Sequence, residues 1–570
     1  MKLIFDIEAD NLLDDVTQVW CIVARCIDTD EVYTFDPTCI EDGLNLLNRA
    51  DMLIGHNIID YDLRALRKLH GFKLLEGQEV LDTLVYSRTI WPDIREVDLK
   101  LHKQGKMPMK LIGRQSLKAW GYRLGELKGD FGGDSESFGE YSNEMLQYCV
   151  QDTAVTAKLY QKILEKNFSK EALDLETEIH TLLIEQEERG FDFDTKAAQS
   201  LYSELAERKN QLELELQQVF EPTVIELKTK TKTIPFNPAS RQQIGDRLMS
   251  RGWKPEVFTD SGVPKVDENV LDSIDMPEAK MLNEYLLLNK RIGQLATGKQ
   301  AWLKMEKGGK LHGHVNHMGA VTSRCTHSNP NMAQVPSVGA PFGEECRRLF
   351  HAPSGYSLLG ADASGLELRC LAHYMAAYDD GSYSHEVVNG DVHTINQQAA
   401  GLPSRPNAKT FIYGFLYGAG DEKIGKIIGK GAKEGKSIKN KFLKKLPALK
   451  YLKDAVAKAA EDRGWVKGLD GRAIPVRHSH ASLNTLLQSC GAIICKTWYV
   501  FIARAIKEAN LDAQIVAFIH DEVQLVVKEG QEDETGRLIQ QCMRDVQQHF
   551  NFRCQLDSEY KYGRNWADTH

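Results

Sequence analysis

Four side chains recur at every fourth position of one stretch: Arg405, Lys409, Tyr413 and Tyr417. On an α-helix a four-residue step drifts by only about 40°, so all four share a face. Pro406 suits a first helical turn. That places the two cations at the N-terminal end, where free N–H groups and the macrodipole already favour anions. Such a face would hold a polyphosphate at one end and stack a base or sugar at the other. Acids flank it on both sides. Leu358 to Arg369 reads as a short apolar strand ending in Asp362, then a turn into a helix carrying Glu367. Ile515 to Val526 reads as two β-branched runs around His520, Asp521 and Glu522, a hairpin with its charge at the tip. If the strands pair, Asp362 and Asp521 meet at a sheet edge, and hard divalent cations with oxygen ligands are the natural occupants. Two such ions about 4 Å apart clamp the attacking and leaving oxygens of a phosphoryl transfer.

A second acidic set lies in the N-terminal third. Asp6 and Glu8 sit on a predicted strand, where residues i and i+2 share a face. His56 to Asp62 supplies a third acid in Asp62. Tyr148 and Asp152, four apart, are neighbours on a helix. Four acids and a tyrosine fit two divalent ions plus a hydroxyl that orients an attacking water.

The elements that must position these groups belong to a long chain. At 570 residues it divides into three or more domains. Its 42% hydrophobic and 26% charged content is ordinary for a globular protein, and the net charge of −9 argues mildly against nucleic-acid binding as a whole. The distribution argues the other way. Lys423 to Lys450 is lysine-rich, and Leu227 to Thr233 alternates lysine with threonine, two tracts suited to phosphate neutralisation. Eleven cysteines show no Cys-x-x-Cys pair and no Cys/His cluster, which predicts neither a zinc site nor a disulfide framework. Asp6 and Glu8 interrupt the first apolar run, so no signal peptide is expected, and no segment is read as a membrane span.

The ordered segments resemble a known family. Asp362 to Arg369 resembles motif A, Arg405 to Gly418 motif B and His520 to Glu522 motif C of the family A (Pol I-like) DNA polymerases. Thr322 to Arg324 and Asn484 to Gln488 match the family's primer-template and minor-groove contacts. Phe411 to Gly425, Leu469 to Arg472 and Asn551 to Cys554 are similar to the replicative polymerases of T-seven-type phages. Asp6, Glu8, Asp62, Tyr148 and Asp152 resemble the motifs of DEDDy-type 3′→5′ proofreading exonucleases.

The resemblance implies a multidomain α/β and α+β chain: a ribonuclease H-like exonuclease domain (1–165) before a right-hand polymerase. The latter would comprise a helical thumb (166–300), palm (301–390 and 466–570) and helical fingers (391–465). It also implies Mg²⁺ as cofactor. Asp362, Asp521 and the Ala363 carbonyl would hold two ions in the polymerase site, and Asp6, Glu8, Asp62 and Asp152 two divalent ions in the exonuclease site. Arg405, Lys409 and His393 would bind the triphosphate, with Lys409 able to protonate the departing pyrophosphate. Tyr413 would stack on the incoming nucleotide, Tyr417 guard the templating position, and Glu367 crowd the sugar 2′ position. Arg324, Asn484 and Gln488 would contact the primer-template minor groove, while His520 and Glu522 would orient the primer and support the metal site. Tyr148 would orient the hydrolytic water. The expected partners are primer-template DNA and dNTPs, with a phage helicase-primase and a single-stranded DNA-binding protein as further candidates. The expected location is the cytoplasm of an infected host cell.

Two departures stand out. Only Glu221 to Pro235 occupies the place of the long thumb insertion that binds host thioredoxin in T-seven-type enzymes, too little for a comparable subdomain. Ser323 stands where the family usually has glycine. No 5′-nuclease segment precedes Asp6, which favours replication over repair. Two alternatives remain at this stage, a single-subunit RNA polymerase-like enzyme and a nuclease with an inert polymerase half. Glu367 and the exonuclease quartet argue against the first.

Overall fold

The computed structural model describes residues 1–126, 138–226, 231–259 and 261–570. The tract Leu227–Lys230 therefore lies outside the described residues. Two sheets organise the molecule. The first has the order Val32–Phe35, Val19–Cys26, Lys2–Ala9, Met52–Gly55, Glu79–Asp82. Its first three strands are antiparallel and its last two run parallel to Lys2–Ala9. The central strand reads Leu-Ile-Phe-Asp-Ile-Glu-Ala, and Leu3, Phe5 and Ile7 enter one core with Ile22, Ala24 and Leu53. The helix Asn143–Glu165 packs across that strand and Val19–Cys26.

The second sheet is antiparallel throughout, in the order Ala513–Ile519, Glu522–Lys528, Tyr356–Ala363, Ser558–Gly563. Val523, Leu525 and Val527 alternate towards a core shared with the helices Ser482–Glu508 and Glu532–His549. The sequence reading expects no segment apolar and long enough to cross a membrane; Ser479–Glu508 meets both criteria, with a mean hydropathy of 1.4 over its most apolar window. That window is 78% buried within the fold. Ile493, Ile494, Trp498 and Tyr499 are apolar because they fill the protein's own interior.

A long antiparallel pair, Thr195–Val219 and Pro277–Ile292, rises from one end of this sheet. Phe191, Phe193, Trp302, Phe350 and Trp566 interlock at its base, with ring centroids 5.3–6.3 Å apart. The helical periodicity of Glu185 to Val219 is shared between two helices rather than one. Lys170–Arg189 ends at Gly190, whose φ of +66° suits a residue without a Cβ, and the chain turns through Phe191–Asp192 before the next helix begins. A further helical group spans Val392 to Arg463. There Phe442 meets Phe411 and Phe415 edge-on at 5.0 and 5.4 Å.

One charged cluster is buried among these parts. The Glu176 carboxylate, on Lys170–Arg189, accepts from Lys496 Nζ at 2.7 and 2.8 Å, from Arg472 Nη1 at 2.6 Å and from His317 Nδ1 at 2.8 Å. Arg472 also donates to Asp470 at 2.6 Å. Burial alone would raise the Glu176 carboxyl; Lys496 and Arg472 outweigh it and hold the group well below the usual range. Replacing Glu176 with Gln strands the buried Lys496 ammonium. Such a loss costs about 3–5 kcal/mol, so the unfolding free energy extrapolated from urea denaturation should fall by that amount, with the midpoint moving to lower urea.

Candidate active sites

Strand register brings the polymerase-type acids together. Asp362 is the penultimate residue of Tyr356–Ala363 and lies directly across from Glu522. The next strand turns back at His520 and Asp521, and the Ala363 N–H donates to the Asp521 carbonyl at 2.9 Å. Burial, then the neighbouring Glu522, pushes Asp362 up to about 6. Burial, then Glu367, pushes Asp521 up to about 6. Both carboxyls thus sit where negative charge is crowded and a cation would be welcome. Glu522 differs from them: burial works to raise it, but His570 and Gln524 outweigh that and lower it. It accepts from Trp566 Nε1 at 2.6 Å, from Gln524 at 2.7 Å and from His570 at 3.1 Å.

The cationic stripe forms as expected on Arg405–Leu416, which begins at the capping side chain Ser404. Ala408, Phe411, Ile412 and Leu416 face inward, leaving Arg405 and Lys409 exposed and Tyr413 half-buried. Tyr417 lies one residue past the helix end. Its hydroxyl donates to Glu367 at 3.0 Å, and the two line a cavity of about 190 Å³ with Arg324, His520 and Asp521. Gly365, at φ +54°, makes the turn that starts the Glu367 helix. Gln488 donates to Asn484 on the helix whose Leu487 and Gly491 form a wall of this cavity. His393 stands 6.4 Å from the Tyr413 ring. The lysines from Lys423 to Lys450 are exposed save Lys439, which is tied to Asp421.

The N-terminal acids also converge. Asp6, Glu8 and Cys149 place one ligand atom each within 4.8 Å of one another. Asp62, buried at the start of Asp62–His70, accepts from the Ile7 N–H at 3.1 Å, and burial together with Asp6 raises its carboxyl well above the usual range. Asp152 and Asp6 line a cavity of about 700 Å³ with Asn57, Arg88, Arg114 and, from the far side, Arg477. Tyr148 lies half-buried one turn before Asp152.

Residues 199–568 match the family described as DNA polymerase family A. The chain belongs to DNA polymerase family A. It is 39% identical over 703 aligned residues to the DNA-directed DNA polymerase of Enterobacteria phage T3, covering both chains fully, and 38% identical over 706 to that of Escherichia phage T7, again in full. DNA polymerase I of Pseudomonas aeruginosa is 26% identical over 82% of this chain and 52% of its own. In three dimensions the fold is that of a Pol1 POL domain from M. smegmatis, with a TM-score of 0.79 at 18% identity over 99% of this chain and 96% of the other. The reaction of this family A member is template-directed DNA synthesis, as in its phage relatives.

Sequence reasoning missed several groups around these sites. Trp566 and His570 come from the last few residues, and only the folded sheet end shows that they hold Glu522. Cys149 was set aside for want of a partner cysteine motif, yet its thiol donates to Asp6 at 3.5 Å. Asp82 is fully buried and accepts from the Asn57, Ile59 and Leu84 N–H groups, which shapes the loop leading to Asp62. A strand ending in an acid before a helix was the available signal. Asp391 pairs with Arg405 and appears in no motif assignment.

The backbone at Ser323 favours glycine, the residue that the family resemblance leads one to expect there. Its φ is +65° and it is 1% exposed, so a Cβ-bearing residue is held in the left-handed region inside the fold. Ser323→Gly relieves that strain, which is worth about 1 kcal/mol after glycine's extra chain entropy is counted. Calorimetry should show the unfolding midpoint rising by roughly 1–3 °C.

Proposed function

We propose that this polymerase adds dNTPs to a primer 3′-OH at Asp362 and Asp521 and proofreads at a separate 3′→5′ exonuclease site. The observation that carries the polymerase half is the hydrogen bond from the Ala363 N–H to the Asp521 carbonyl. It brings two acids from distant segments to one sheet end, beside a cationic helix. The donor sets fit Mg²⁺: Asp362 and Asp521, with the Ala363 carbonyl, offer hard oxygens, as do Asp6, Glu8, Asp62 and Asp152. Burial raises the Cys149 thiol, which lies beside the acids and donates to Asp6. When bound, the ions supply Lewis-acid activation of the attacking oxygen and charge neutralisation on the leaving group at both sites.

The chain's own groups do the rest. Arg405, Lys409 and His393 hold the triphosphate, and Lys409 supplies a proton to the departing pyrophosphate. Tyr413 stacks on the incoming nucleotide, while Tyr417 and Glu367 fill the templating and 2′ positions. Arg324, Asn484 and Gln488 check base-pair shape through minor-groove acceptors common to all pairs. His520 and Glu522 orient the primer. In the N-terminal half Tyr148 orients water, and the cavity that reaches Asp6 and Asp152 takes a frayed single strand, with Arg88 and Arg114 against its phosphates. The order of the five-stranded sheet supports a ribonuclease H-like reading of residues 1–165. The antiparallel pair within 166–300 is read as the thumb, 391–465 as the fingers, and the 301–390 and 466–570 segments as the palm.

Primer-template DNA and dNTPs are the proposed partners, as in the complex of the M. smegmatis neighbour. The relatives' phage origin supports action in the cytoplasm of an infected cell, beside a helicase-primase and a single-stranded DNA-binding protein. Thioredoxin is not proposed. The 703 aligned positions exceed the 570 residues here by 133, so the T3 relative carries at least that many residues this chain lacks.

Primer extension with matched and mismatched primers tests the two-site reading. Asp521→Asn should lower extension by about a thousandfold or more and leave single-strand hydrolysis intact, while Asp6→Ala should do the reverse. Loss of both activities in either variant would refute separate sites. The Tyr413 hydroxyl offers a hydrogen bond where a dideoxynucleotide lacks its 3′-OH. Tyr413→Phe should therefore raise discrimination against dideoxynucleotides by about tenfold or more, read as the ratio of termination to extension.

A further inference from the structure

Arg405 is already engaged. Its Nε donates to Asp391 at 2.9 and 3.2 Å and its Nη2 at 3.1 Å, a fork-on-fork pairing of the kind a guanidinium makes with a phosphate. Asp391 is not a drifting surface acid. It is the N-cap of Val392–Ala400, and its two oxygens also accept from the Thr394 N–H at 3.3 Å and the Thr394 hydroxyl at 2.7 Å. Ser404 and Pro406 fix the other partner at the first turn of its own helix. A rigid anion therefore occupies one edge of the cation that stands at the N-terminal end of the triphosphate-binding face.

We infer that Asp391 is a built-in competitor for the nucleotide's triphosphate tail: it holds Arg405 in the empty enzyme, yields it to dNTP, and reclaims it as pyrophosphate leaves. This rests on the reading that Arg405 meets the triphosphate. A polyanion that also engages Lys409 can outbid one carboxylate, whereas a ligand with a single weak charge cannot. Asp391 thereby weakens nucleotide binding, favours the full triphosphate over shorter phosphates, and promotes product release. An exposed pair of this kind shifts affinity by about fivefold at most.

Asp391→Asn keeps the helix cap and removes the charge. In full-length enzyme the KM for dNTP and the inhibition constant of inorganic pyrophosphate should each fall about fivefold, with the change in KM rather than kcat and the thermal midpoint unmoved. An unchanged or raised KM overturns the proposal. Arg405→Ala separates the two readings. If it leaves KM unaltered, Arg405 does not meet the triphosphate. If it raises KM, Asp391→Asn added to it should have no further effect, and a persisting drop would show that Asp391 acts by some route other than Arg405.

Discussion

Everything at the proposed synthetic site depends on the register between Tyr356–Ala363 and Glu522–Lys528. Asp362 faces Glu522 across that pair, and a one-residue slip would turn the whole strand over and point Asp362 into the apolar core. The apolar alternation of Val523, Leu525 and Val527 fixes the register, because those residues must reach the interior. Carboxylates are thus driven together by hydrophobic burial that has nothing to do with charge. The crowding costs stability in the free chain, and a cation at the sheet end would offset that cost.

The C-terminal residues limit the cost. Trp566 is buried in the aromatic knot at the base of the helical pair and still reaches Glu522 with its indole N–H. His570 and Gln524 complete the set. Hydrogen bonds thereby hold Glu522 below its ordinary range, whereas at Asp362 and Asp521 burial and neighbouring acids outweigh the nearby cations. Three neighbouring acids differ in electrostatics because Glu522 is ringed by donors while burial and like charge dominate at the other two.

The two halves are held in a defined relation by charge as well as packing. Glu176 precedes the segment matched by the polymerase family, yet its partners Arg472 and Lys496 belong to that segment. Arg477 pairs with Asp93 and Lys307 with Asp14 across the same divide. The larger cavity opens along this seam, with walls from both halves.

Local spacing was enough to read the Arg405 stripe, the strand that pairs Asp6 with Glu8, and the hairpin at Asp521, because helical and strand periods place near neighbours in sequence without any knowledge of the fold. Whether distant acids meet was decided only by tertiary packing. So were the pairing of Arg405 with Asp391, the reach of His570 and Trp566 to Glu522, and the burial of Glu176 with cations some three hundred residues away. The apolar run from Ser482 to Glu508 shows the same limit, since composition alone cannot tell a helix covered by its own protein from one covered by lipid. Short-range geometry is written in residue order; contacts across long chain separations depend on which surfaces bury together, and one sequence states that only through the finished core.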